Sequence, residues 1–308
     1  GPGPLAGQLL ADLGADVIKV EAAHGDDYRH IGPFKDGESL LFQAINRGKR
    51  SIALDLKSPD AIATVKALLA DCDVLIENFR PGVMEKLGLS YDALAKDFPH
   101  LVYVSVSGFG QTGPNTKKPA YDIIVQAMSG LMDATGEPDG APTMVGEALG
   151  DVAGGLFAAW GTMVALFDCS RTGLGRHVDV ALFDGLVSMM PILACRTLMG
   201  GETPVRTGNR HPLSAPFGTY PAADGHFALA VLNDRLFATF CDVIGQPELV
   251  QDARFTSDPL RRENEPALAE YIDQWAGSLP VDQVVHHLSA AGIPASSIQS
   301  VAQAWASP

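Results

Sequence analysis

Asp151 stands in the stretch Val145-Gly146-Glu147-Ala148-Leu149-Gly150-Asp151-Val152-Ala153-Gly154-Gly155 and is the only charged side chain between Glu147 and Asp168. The apolar run from Val152 to Phe167 has the pattern of a helix, which puts Asp151 at a helix N-terminus. A single carboxylate among small apolar residues serves either as a helix cap or as a nucleophile made reactive by poor hydration. Glycines on both sides leave room for another molecule to approach it.

Other clusters carry polar groups suited to an anionic ligand. Ile76-Glu77-Asn78-Phe79-Arg80-Pro81-Gly82 falls where a strand gives way to a helix, the ligand side of an α/β sheet. Asn78 can hydrogen-bond, Phe79 can cover a flat ring and Arg80 can pair a phosphate; ordinary turn chemistry explains Asn, Pro and Gly equally well. Asn46-Arg47-Gly48-Lys49-Arg50 is either a solvated turn or a phosphate contact. Further basic residues cluster at Arg80 with Lys86 and at Lys117-Lys118. Tyr121-Asp122 opens a helix, where Asp122 can complement the dipole and Tyr121 can reach a ligand. Gly1-Pro2-Gly3-Pro4-Leu5-Ala6-Gly7, with Glu21 placed for a ribose, suggests a dinucleotide loop, but the spacing is G-x-G-x-x-x-G and no strand comes first. A tight turn into a helix fits it better.

The elements that must position these residues alternate. Helix 5–13 leads to strand 16–21, strand 51–56 to helix 59–70, and strand 74–78 to short helical segments over 81–96. Strand 101–107, helices 121–132 and 151–167, strand 177–180 and helix 182–197 follow. This order predicts an α/β fold: a Rossmann-like, mostly parallel sheet with helices on both faces. Near Met199 the texture changes. Residues 1–199 form an expected large domain, 200–216 a Gly/Pro/Arg-rich linker, and 217–308 a smaller α+β domain. That domain opens with a hairpin through Asp224-Gly225, and its helices are expected over 233–244, 262–277 and 281–291.

Composition excludes several classes. Hydrophobic content of 46% over 308 residues supports a substantial core. A net charge of −14 argues against nucleic acid. Gly161 and Asp168 interrupt the longest apolar run, so no membrane span is expected. The four cysteines (Cys72, Cys169, Cys195, Cys241) form no Cys-x-x-Cys pair, which speaks for a reducing cytoplasm and against a zinc site. The histidines lack metal spacing and pair with no Ser or Cys nucleophile, so neither a metal site nor a triad is expected.

Several of these motifs, in order along the chain, resemble class III CoA-transferases (the CaiB/BaiF family), which include formyl-CoA and carnitine CoA-transferases. They are residues 7–21, Asn46 to Ile52, Glu77 to Gly82, Tyr121-Asp122 with Gln126 to Gly130, Gly150-Asp151, and Gly175 to Val180. The resemblance implies that Asp151 is the catalytic aspartate. It would attack an acyl-CoA to give an acyl-aspartyl anhydride, then take CoA as an aspartyl thioester and pass it to a carboxylic acid. It also implies CoA contacts at Asn78, Phe79, Arg80, Lys86 and Tyr121, with Lys49 and Arg50 as phosphate contacts. CoA and acyl-CoA would be substrates, with no permanently bound cofactor and no metal. Gly150, Gly154 and Gly155 would leave space for the thioester, and the helix N-terminus would offer N–H groups to an oxyanion.

Two departures accompany the resemblance. Gly208-Asn209-Arg210-His211-Pro212 replaces a glycine-rich loop of the formyl-CoA and oxalate enzymes, which argues against oxalate as acceptor; Arg206, Arg210 and His211 are candidates for pairing the acceptor's carboxylate. Family members also have a strand before Gly3 and continue past Pro308, so segments are expected beyond both ends. The family forms interlocked homodimers, and a homodimer is expected here. The rival within the superfamily is an acyl-CoA racemase. It needs an acid/base where Tyr121 stands, and a tyrosine of ordinary pKa near 10, roughly, is a poor base at neutral pH.

Overall fold

The computed structural model describes residues 1–307, which divide into two compact units. The first comprises Gly1–Ala134 with Pro142–Pro204, and the second Thr135–Ala141 with residues 205–307. The second unit therefore takes in a short excursion from the first half of the chain, together with residues from the stretch expected as a linker.

In the first unit, strand Val102–Ser107 lies between Val74–Glu77 and His177–Ala181, parallel to both, with Val104 opposite Ile76 and Val178. Every residue of the central strand is buried. Side chains alternate across a strand. Val102, Val104 and Val106 pack with Ala6, Val125, Ala158 and Leu186 on one face, whereas Leu101 and Tyr103 pack with Val65, Leu69 and Leu94 on the other. Helices cover both faces, as a parallel sheet requires. The parallel strands do not join into one sheet: Val17–Glu21 and Lys49–Ala53 form a separate parallel pair.

Two helices differ from expectation in ways that matter for the site. Gly1 to Gly7 is no loop: it is the N-cap and first turns of helix Pro2–Asp12. The expected helix 182–197 breaks into Leu182–Ser188 and Pro191–Ala194, followed by a wider-wound turn over Cys195–Met199. Pro191 has no N–H to continue the ladder, and the chain bends by 77° there. The helix after Asp151 spans Leu149–Thr172 and is long and apolar enough, by length and composition, to cross a membrane. Gly161 does not interrupt it, because one glycine costs a helix only about 1 kcal/mol.

In the second unit, Gly225–Ala230 pairs antiparallel with Phe217–Ala222 and with Ala295–Ser297. The hairpin turns through Ala223-Asp224, one residue earlier than expected, and the Asp224 carboxylate accepts the Val281 N–H at the start of helix Val281–Ala290. Arg261 is fully buried; its guanidinium donates to the Ala215 and Phe255 carbonyls and pairs Asp234.

Candidate active site

Asp151 does not cap its own helix. The residue at the cap position is Ala148, and the capping carboxylate comes from Asp122. Asp122 Oδ1 accepts the Gly150 N–H at 2.7 Å and the Asp151 N–H at 3.3 Å, while its Oδ2 accepts from Gln126 Nε2. Gln126, fully buried, also accepts the Val145 N–H and donates to the Glu147 carbonyl, fixing the loop that leads into Asp151. The Asp151 carboxylate itself makes no hydrogen bond or ion pair among the described residues. Burial pushes its pKa up, and the Asp122 charge adds to it.

The expected oxyanion donors are therefore already committed: Gly150 and Asp151 N–H go to Asp122, and Val152 N–H goes to Ala148 O. The glycines also serve packing rather than open space. A Cβ on Gly150 would lie 2.6 Å from Val125, one on Gly154 3.1 Å from Leu182, and one on Gly155 2.8 Å from Leu5. They let helix Leu149–Thr172 lie close against its neighbours.

The loop after strand Val74–Glu77 presents its side chains unequally. Asn78 Oδ1 accepts the Gly3 N–H at 3.3 Å and its Nδ2 donates to Val106 O at 2.7 Å, so Asn78 ties the first helix to the central strand. A Cβ on Gly3 would stand 2.7 Å from that of Asn78. Phe79 is 45% exposed and Tyr121 80% exposed, leaving both faces open to a ligand. Arg80 and Lys86 are exposed cations. Buried Glu77 holds this loop: its carboxylate accepts the Phe79 N–H at 2.8 Å and is bonded by Ser105, whose Oγ lies 2.9 Å from His177 Nε2. A cavity of about 20 Å³, roughly one water, lies among Glu77, Arg80, Gln111 and His177.

Lys49 and Arg50 differ from one another. The three ammonium protons of Lys49 go to Pro4 O, Ile45 O and Asn46 Oδ1 at 2.6, 3.0 and 2.7 Å, and burial pushes its pKa down to about 8. A phosphate would have to displace one of these acceptors. Arg50 is exposed and pairs exposed Asp16, a weak bond easily exchanged. Glu21 faces inward, where it accepts from Arg29, Ser51 and the Asp26 N–H, and its pKa falls to about 2, chiefly through Arg29. It is not free for a ribose.

In the second unit, the candidate acceptor residues are occupied. Arg210 pairs Glu265 at 2.6 Å and lies over the Tyr220 ring, His211 stacks on Phe217, and Arg206 donates to the Glu137 and Gly140 carbonyls.

The profile of CoA-transferase family III matches residues 1–308. The chain belongs to CoA-transferase family III. It is 46% identical over 304 residues to an acetyl-CoA:oxalate CoA-transferase of Acetobacter aceti, covering 98% of this chain and 78% of that protein. It is 40% identical over 314 residues to a succinate–glutarate CoA-transferase of Agrobacterium fabrum, covering 99% of this chain and 78% of that protein. Among solved structures it resembles a CaiB/BaiF family protein from Brucella suis, 40% identical with a TM-score of 0.87, covering 100% of this chain and 82% of that one. The enzyme is a CoA-transferase, with CoA thioesters as substrates.

Sequence reasoning about this CoA-transferase missed Glu77, which holds the loop that carries Phe79 and Arg80. Glu77 sits in a motif whose neighbours drew the chemical interest.

Proposed function

We propose that this CoA-transferase moves CoA from an acyl-CoA to a small dicarboxylic acid through covalent intermediates on Asp151. One observation carries the reading. Asp122 supplies the cap of helix Leu149–Thr172, so the Asp151 carboxylate is held at the helix start, half-buried and without a structural partner. A carboxylate freed from capping and deprived of water is a strong nucleophile toward a thioester. Attack forms the acyl-aspartyl anhydride and expels CoA thiolate. The thiolate attacks the Asp151 carbonyl, releasing the acid and leaving aspartyl-CoA, and the incoming carboxylate then takes the CoA in the reverse sequence.

Phe79 and Tyr121 offer exposed rings for the adenine, and Arg80, Lys86 and Arg50 offer charge for the phosphates. Lys49 and Asn78 act indirectly, holding the elements that carry the site. The dicarboxylate acceptor is inferred from the oxalate and succinate–glutarate enzymes this chain is similar to. The 46% identity to the oxalate enzyme returns oxalate to the candidates despite the missing glycine run. The enzyme works in the cytoplasm as a homodimer, with neither nucleic acid nor membrane as partner.

The test is Asp151→Asn assayed with acetyl-CoA and oxalate, and with succinyl-CoA and glutarate. Turnover should fall by roughly 10³-fold or more while CoA binding persists. Wild-type protein incubated with the donor should yield a hydroxylamine-sensitive adduct on the Asp151 peptide. Turnover without any such adduct in rapid-quench mass spectrometry would rule out the covalent route.

A further inference from the structure

Attack on a thioester places a negative charge on the carbonyl oxygen, and that charge needs a donor. The helix N-terminus cannot supply one, because the N–H groups of Gly150, Asp151 and Val152 all have acceptors. Tyr28 is a side-chain donor close enough to Asp151 to feel its charge. Around the position a Cβ on Gly1 would take, Asp151 Oδ2 lies at 3.3 Å, Asn78 Oδ1 at 3.4 Å and Tyr28 Oη at 3.9 Å, so the carboxylate and the phenol stand beside the same point of the backbone. The Tyr28 hydroxyl makes no hydrogen bond among the described residues.

The segment that carries Tyr28 is pinned. Asp26 Oδ1 accepts the Tyr28 N–H at 2.9 Å, and Asp26 pairs Lys19 at 2.5 Å. Glu21 accepts the Asp26 N–H and both arms of Arg29, whose guanidinium lies 3.9 Å from the centre of the Phe42 ring. A phenol held this way loses little freedom on forming a new hydrogen bond, which is what preorganised stabilisation requires.

We propose that the Tyr28 hydroxyl is a catalytic hydrogen-bond donor to the oxyanion formed when Asp151 attacks the acyl-CoA. The inference rests on Asp151 being the nucleophile. A carboxylate oxygen of Asp151 forms a bond to the thioester carbon, and the C=O π pair moves onto the carbonyl oxygen, facing Tyr28. When that pair returns, the C–S bond breaks and CoA leaves as the thiolate. Tyr28 keeps its proton throughout. Burial and the nearby carboxylates of Asp151, Asp26 and Asp122 push its pKa up to about 12, so it remains a donor across the working pH range.

The experiment is Tyr28→Phe in single-turnover rapid quench with acetyl-CoA, following the adduct on Asp151 by mass spectrometry. The rate of adduct formation should fall by roughly 10²-fold, in line with removal of one oxyanion donor. CoA affinity by calorimetry and melting temperature should stay at wild-type values, since the hydroxyl has no structural partner to lose. Adduct formation at the wild-type rate would overturn the proposal, as would a loss tracking weakened CoA binding. Failure of the underlying reading looks different: wild-type protein would then turn over with no adduct on Asp151 at all.

Discussion

Asp122 does two jobs at once: it caps the helix that carries Asp151, and its charge makes ionising Asp151 harder. The sign is definite. Burial is the larger effect and Asp122 adds to it, so the Asp151 pKa lies above its ordinary value of 3.8. The nucleophile must be ionised, so kcat/KM should fall as pH drops through that raised value. Asp122→Asn keeps an oxygen for the Gly150 N–H and removes the charge. Its acid limb should therefore move to lower pH, with a cost of about 1 kcal/mol from the altered Gln126 contact. A pH–rate profile whose acid limb stays in place would show that the Asp122 charge has no effect on the nucleophile. At this scale the sequence made Asp151 conspicuous, because charge is absent for many residues around it. It could not show that Asp122 caps a helix 28 residues away, nor that Lys49 spends its protons inside the fold. Such partners are set by tertiary approach, which no local pattern encodes.

At the scale of elements, the site depends on how closely helix Leu149–Thr172 lies against helix Pro2–Asp12. Gly155 permits that approach, with the Leu5 side chain where its Cβ would be. Gly155→Ala should gain about 0.5–1 kcal/mol in helix propensity but lose about 1–3 kcal/mol to overpacking, for a net fall of a few degrees in melting temperature. Gly146→Ala is the matching control, because no atom lies within 4 Å of its Cβ position, and it should melt like wild type. Equal or higher stability of Gly155→Ala would mean that the helices do not pack this tightly. The alternation of strands and helices was legible from β-branched runs and apolar periodicity, and the central strand is buried along its whole length. Short pieces were not legible. Helix Leu40–Asn46, the small hairpin at Phe34–Ser39 and strand Ala295–Ser297 carry too few residues to show a period.

At the scale of the whole molecule, the outer face of helix Leu149–Thr172 is the outstanding feature. Leu156, Trp160, Met163 and Phe167 recur at spacings of four, three and four residues, the seam of paired helices. Trp160 is 65% and Phe167 66% exposed, with Val164 beside them. Such a stripe is costly in water and marks a partner surface. The chain carries a net charge of −14, so two copies repel unless the contact is apolar, and this helix face has no charged residue between Asp151 and Asp168 to desolvate. A second copy is therefore the occupant we expect. Sedimentation of the wild type should give a dimer at micromolar concentration, and Trp160→Glu combined with Phe167→Glu should give monomers that added salt does not reassemble. Salt would restore a contact weakened by long-range repulsion alone, but it cannot offset the desolvation of four buried glutamates, two from each copy. Monomeric wild-type protein that instead co-sediments with lipid vesicles would assign the face to a bilayer, an outcome the length and apolar character of this helix make worth measuring directly.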